Sequence, residues 1–187
     1  MLRSRGNYRI EKTPFVLVDT PGQVLDEAKR KKAITDAIRD KVEGIINVVC
    51  YGYHEAEEAG SADAVPKSSR KIAKEPYLKR RQKVELDLLA EWVPAIDEKT
   101  ANWILTIVTK ADLWWPDTDS EVRKAYQEGE YADEFADFSD KHYVLPYCSV
   151  IEPFYGTRTS GLFGDHHRSV LRENLLQTIL RLSGVEE

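Results

Sequence analysis

Two short stretches of this 187-residue chain combine residue types suited to chemistry. The first is Asp19-Thr20-Pro21-Gly22-Gln23, closing the apolar run Pro14 to Asp19 (PFVLVD). A continuous run of β-branched and aromatic residues ending in a Pro-Gly turn reads as a buried strand of a parallel sheet. In an open α/β sheet, ligands sit beyond the carboxyl ends of the strands. A carboxylate there can hold a magnesium ion, usually through a water, and the following glycine lets a backbone N–H approach a phosphate. An ordinary strand-to-helix turn uses the same residue types. The second stretch is Thr109-Lys110-Ala111-Asp112, directly after the apolar run WILTIV. An aspartate so placed can accept two hydrogen bonds from guanine, from N1–H and the exocyclic amino group, which adenine does not supply. The apolar stem of Lys110 can cover the base. The competing reading of Asp112 is a helix N-cap.

The elements that must position these residues follow from periodicity. Tyr8 to Glu11 can pair with the Pro14 to Asp19 strand across a tight hairpin at Lys12-Thr13. Ile34, Ala37, Ile38 and Val42 lie at helical spacing, and Gly44 is expected to stop that helix. Gly44 to Tyr51 (GIINVVCY) reads as a second buried strand, Trp103 to Thr109 as a third and Tyr143 to Cys148 as a fourth. Between them, Leu78, Glu85, Leu86, Leu89, Trp92, Val93 and Ile96 mark a long amphipathic helix ending near Pro94. A charged helical stretch is expected from Asp119 to Phe138. A last helix spans His167 to Leu182, with Val170, Leu171, Leu175, Ile179 and Leu182 on one face. Residues 53–75, rich in Ala, Glu, Ser and Lys without a sustained period, read as an insertion or mobile loop. Strands alternating with helices imply βαβ units and a three-layer α/β domain occupying residues 1–187.

Taken together and in this order, the motifs resemble the translation-factor and Ras-like class of GTPases. DTPG resembles the switch motif for magnesium and the γ-phosphate, and TKAD a variant of the Asn-Lys-x-Asp guanine motif. The resemblance implies a P-loop NTPase-like G domain that hydrolyses GTP to GDP, with magnesium at Asp19 and Gln23 orienting the attacking water. It places a third guanine-side element after the next strand, where Cys148-Ser149 stand in place of Ser-Ala. Nucleotide contacts are thereby implied at Asp19, Thr20, Gly22, Thr109, Lys110, Asp112, Cys148 and Ser149, and a protein effector or regulator as partner.

One required part is missing. A G domain carries G-x-x-x-x-G-K-[ST] after its first strand, wrapping the β-phosphate. Five residues beyond Gly6 stands Glu11, and Gly156 to Gly161 is followed by Leu162-Phe163. The family's first strand lies between the strand ending at Asp19 and that running to Tyr51, so its absence leaves buried strand edges unpaired. The expectation is a parent protein that extends upstream. The rival expectation is a degraded, nucleotide-free G domain that acts as an interaction module.

Composition narrows the class further. Hydrophobic residues at 42% and charged residues at 32% fit an ordinary globular domain rather than a disordered one. No apolar run approaches the roughly 20 residues of a membrane span, and two cysteines suit free cytoplasmic thiols. The net charge of −5 argues against nucleic acid as the main partner. Basic runs at Lys29 to Lys32 and Lys79 to Lys83 leave a phosphate-rich partner open against a solvated helix face. Trp114-Trp115 can shield the base edge or pack in the core. Asp165-His166-His167 reads as an N-cap Asp with two exposed histidines rather than a metal site.

Overall fold

The computed structural model describes residues 27–39, 42–53, 73, 75–96, 101–115, 119–151 and 162–184. The Tyr8 to Glu11 hairpin, the Pro14 to Asp19 strand, Asp19 to Gln23 and nearly all of the expected insertion lie outside these residues.

At the centre is WILTIV. All six residues of β2 (Trp103–Val108) are buried, which requires cover on both faces of the sheet. β2 is flanked in parallel by β1 (Gly44–Val49) and β3 (His142–Pro146), giving the order β1-β2-β3 with Gly44 opposite Trp103 and Ile104 opposite His142. The fold is therefore α/β with an open parallel sheet.

Alternation along β2 divides the core in two. Ile104, Thr106 and Val108 point to one face, where α1 (Glu27–Arg39), α2 (Glu75–Trp92), α4 (Asp119–Gln127) and α5 (Gly129–Asp133) contribute Ile38, Leu89, Val122 and Tyr131. Trp103, Leu105 and Ile107 point to the other, covered by Leu175, Ile179 and Leu182 of α6 (Asp165–Leu182). The short α3 (Ala111–Trp114) follows β2 directly. The Trp103 ring lies over Gly44, where any Cβ would collide with it, so this glycine starts a strand against an indole rather than stopping a helix.

Several boundaries differ from those the sequence suggests. α1 ends at Arg39, before Val42. The end of α2 near Pro94 is as expected: the helix stops at Trp92, and Pro94 sits in the 3-10 turn Val93–Ala95. The charged stretch is not one helix: Gly129, at φ 68°, separates α4 from α5, and a 3-10 turn Ala136–Phe138 follows. α6 begins two residues early with Gly164 as its N-cap. Asp165, expected at the cap, instead pairs with Arg168 at 2.8 Å. Val170 is 43% exposed, so the buried stripe of α6 starts at Leu171.

Candidate functional site

The carboxyl ends of β1, β2 and β3 converge on Thr109 to Asp112. Thr109 is pinned to β1 twice, since both its N–H and its hydroxyl donate to the Val49 carbonyl at 2.8 Å. From the β3 side, the Ala111 N–H donates to the Tyr147 carbonyl at 3.1 Å. From below, the Trp114 indole N–H donates to the Thr109 carbonyl at 2.9 Å. Trp114 is thus a buried pin rather than a shield. Trp115, half-buried, packs edge-on against Phe163 with centroids 5.7 Å apart.

Lys110 takes the left-handed conformation, φ 58° and ψ 37°, and occupies the N-cap position of α3 without a side-chain cap. Its ammonium donates to the Tyr53 carbonyl at 2.8 Å, so the side chain lies across the ends of β1 and β2. Asp112 is the second residue of α3, not its cap, and is 2% exposed. The Cys148 thiol faces it, with Sγ 3.3 Å from Oδ1 and 3.0 Å from the Val150 carbonyl. Burial, then the Asp112 charge, pushes this thiol up to about 12, so it stays a protonated donor. Ser149 is exposed beside it. The structure therefore brings together Thr109, Lys110, Asp112, Cys148 and Ser149. Asp19, Thr20, Gly22 and Gln23 lie outside the described residues.

Glu85, which the sequence places on the apolar face of the long helix without assigning it a role, underlies this cluster. The Glu85 carboxylate, 4% exposed on α2, accepts the N–H of Cys50 at 2.9 Å and of Gly52 at 3.2 Å through Oε1. Its Oε2 accepts the Tyr126 hydroxyl at 2.5 Å. Burial first, and then this carboxylate, raises both Tyr126 and Cys50 well above their ordinary values, so both remain protonated donors. No sequence signal distinguishes Glu85 from a solvated helix residue except its place among Leu78, Leu89 and Trp92.

A second buried polar chain crosses the sheet. Asn47 Nδ2 donates to the Tyr131 hydroxyl at 2.6 Å, which approaches the Thr106 hydroxyl at 3.5 Å. Thr106 in turn meets His142 Nε2 at 2.9 Å. Burial lowers His142 to about 4, keeping the ring neutral.

The remaining expectations are placed plainly. Lys32 and Lys83 pair along their own helices with Asp36 at 4.0 Å and Asp87 at 3.2 Å, as solvated faces do. The Gly164 N–H donates to His167 Nδ1 at 3.2 Å, giving that ring a capping role, while His166 is exposed. Among the described residues no group of three His, Cys, Asp or Glu side chains is placed to hold a metal, and no helix is long and apolar enough to cross a membrane. Comparison of the chain with protein-family models, with curated proteins and with solved structures finds no match.

Proposed function

We propose that this chain supplies the guanine-reading side of a P-loop NTPase-like G domain, a switch that binds GTP and hydrolyses it together with an upstream phosphate-binding loop. The observation that carries the reading is Asp112, a carboxylate 2% exposed at the carboxyl end of the central strand. The carboxylate is held as a fixed acceptor beside the Cys148 thiol, and a guanine edge offers two donors to an acceptor at that strand end. Lys110 lies beside it across the strand ends, and the Cys148 thiol meets it from the segment that follows β3.

Support also comes from β1. Ile46 and Val48, opposite Leu105 and Ile107, continue the apolar face that α6 covers over β2, yet they are 38% and 61% exposed. That is the flank where the resemblance puts the missing first strand. Magnesium, in this reading, belongs with Asp19, and Gln23 orients the attacking water. The guanine contacts are then Lys110, Asp112 and Ser149.

One observation favours a nucleotide-free interaction module. The Cys148 thiol already points at Asp112 Oδ1, so a base must share that oxygen. The deciding experiment is titration of the protein with its upstream sequence, using fluorescent GDP competed by ATP and by GTP. Binding displaced by GTP and not by ATP supports the switch. No nucleotide binding by the extended protein overturns it in favour of the interaction module.

A further inference from the structure

Among the described residues, two non-glycine residues have positive φ: Tyr51 at 53° and Lys110 at 58°. They stand at the carboxyl ends of neighbouring strands. A left-handed backbone disfavours a residue with a Cβ, persists only where the surroundings over-determine it, and clusters where geometry matters to function. The two positions are also linked, because the Lys110 ammonium donates to the carbonyl of Tyr53, which closes the Tyr51 turn.

The turn itself is narrow. Tyr53 N–H donates to the Cys50 carbonyl at 2.9 Å across Tyr51 and Gly52, the latter at φ 79°. Gly52 has no room for a side chain, since a Cβ would sit 2.5 Å from the Leu78 carbonyl oxygen. Two N–H groups of this turn, from Cys50 and Gly52, converge on Glu85 Oε1, and Tyr126 holds Oε2 from α4. One carboxylate thus ties the turn after β1 to two helices.

We propose that Glu85 is a positioning residue for Lys110: by gripping the Cys50–Gly52 amides it fixes the Tyr53 carbonyl that anchors the lysine across the strand ends. The geometry stands by itself, while the purpose, a lysine stem laid ready to cover a purine, rests on the guanine reading above. Glutamate suits this task better than aspartate. One methylene fewer draws the acceptor back along the side chain and out of reach of both amides. Glutamine keeps an acceptor oxygen for the amides and turns its NH2 toward the Tyr126 hydroxyl, which can accept.

The test is pulse acylation of lysines in the full-length protein, without nucleotide, read peptide by peptide by mass spectrometry. In wild type, Lys110 should react more slowly than Lys79, Lys83 and Lys124, whose side chains are 71–72% exposed. Glu85→Asp and Glu85→Leu should raise Lys110 labelling by roughly tenfold, the range set by losing a charge-assisted hydrogen bond. Glu85→Gln should leave it near wild type. Leu89→Ala, a core truncation one turn further along α2, destabilises the domain without touching the turn and should not change Lys110 labelling below the unfolding transition. If Glu85→Leu does not fold, Glu85→Asp and Glu85→Gln decide. Wild-type labelling of Lys110 in a folded Glu85→Asp protein overturns the proposal, as does an equal rise in Leu89→Ala. Because no nucleotide is present, these outcomes are independent of whether the site reads guanine. A GDP titration of the same variants separates the two: loss of the Glu85 link leaves the guanine reading standing, and lack of GDP binding leaves the link standing.

Discussion

Acidification should weaken this fold through one ring, His142. The unfolded imidazole takes up a proton near 6.5, whereas burial against Phe135, Tyr131 and Thr106 holds the folded one at about 4. Between those values the unfolded state binds more protons, so stability falls as pH falls, is untouched above about 6.5 and levels off below about 4. The full separation sets a ceiling of about 3.4 kcal/mol, of which about 1.8 kcal/mol would be lost between about pH 7 and pH 5. The ring is only partly enclosed, and solvent screening reduces that loss to about 1 kcal/mol. For a chain of this size the shift in Tm is about 2–4 °C. The assay is urea unfolding followed by tryptophan fluorescence at a series of pH values, for wild type and His142→Gln. Glutamine can keep a hydrogen bond to Thr106 but does not titrate, so the variant should be weaker at neutral pH and flatter toward acid. Parallel pH profiles for the two proteins would refute the reasoning, because the acid sensitivity would then reside in other groups.

Asp112→Asn in the upstream-extended protein should shift preference from GTP toward xanthosine triphosphate by about tenfold or more, since a mismatched buried hydrogen bond costs about 1–3 kcal/mol. Unchanged GTP affinity in a competition titration would remove Asp112 from the base. The 187-residue chain alone should bind a fluorescent GTP analogue no more tightly than about micromolar, because phosphate contacts supply most of the affinity in the proposed fold. Gly52→Ala should lower stability by about 1–3 kcal/mol, since φ 79° and the Leu78 carbonyl 2.5 Å away both oppose a Cβ; urea unfolding reads it. Phe135→Ala removes a fully buried ring between Trp92 and His142 and should cost about 3–5 kcal/mol, visible as a lower urea midpoint.

What the sequence discloses here depends on how local the cause is. WILTIV is legible as a doubly covered strand because five apolar residues around one threonine have no other economical place in an α/β domain, and all six residues are buried. Thr109 to Asp112 is legible as a strand-end cluster for the same reason, whereas Cys148 enters only through the family resemblance, which expects a short element after the next strand. The break at Gly129 could have been read from a glycine inside a charged run. Glu85 could not, because its partners Cys50, Gly52 and Tyr126 lie 33 to 41 residues away and come together only when α2 and α4 pack on the sheet. Asn47, Thr106, Tyr131 and His142 are hidden likewise: each is an unremarkable polar residue until the parallel register aligns them. Val170 misleads because a helix's apolar stripe is wider than the seam it buries.

The parallel ladder also dictates how the molecule can come into being. Gly44 pairs with Trp103 and Ile104 with His142, so neither ladder can be closed by a tight turn. As the polypeptide leaves the ribosome, β1 emerges with Ile45, Val49 and its backbone edge uncovered and waits for roughly sixty further residues before its partner exists. At about 5–20 residues per second that interval lasts about 3–12 seconds, long compared with the microseconds in which an apolar segment collapses on whatever is near. The helical segments α1 and α2 can form locally during the wait, whereas the sheet cannot. The nascent chain is therefore most open to holding chaperones between synthesis of Val49 and synthesis of Val108, and shortening that interval would change yield without changing a single native contact.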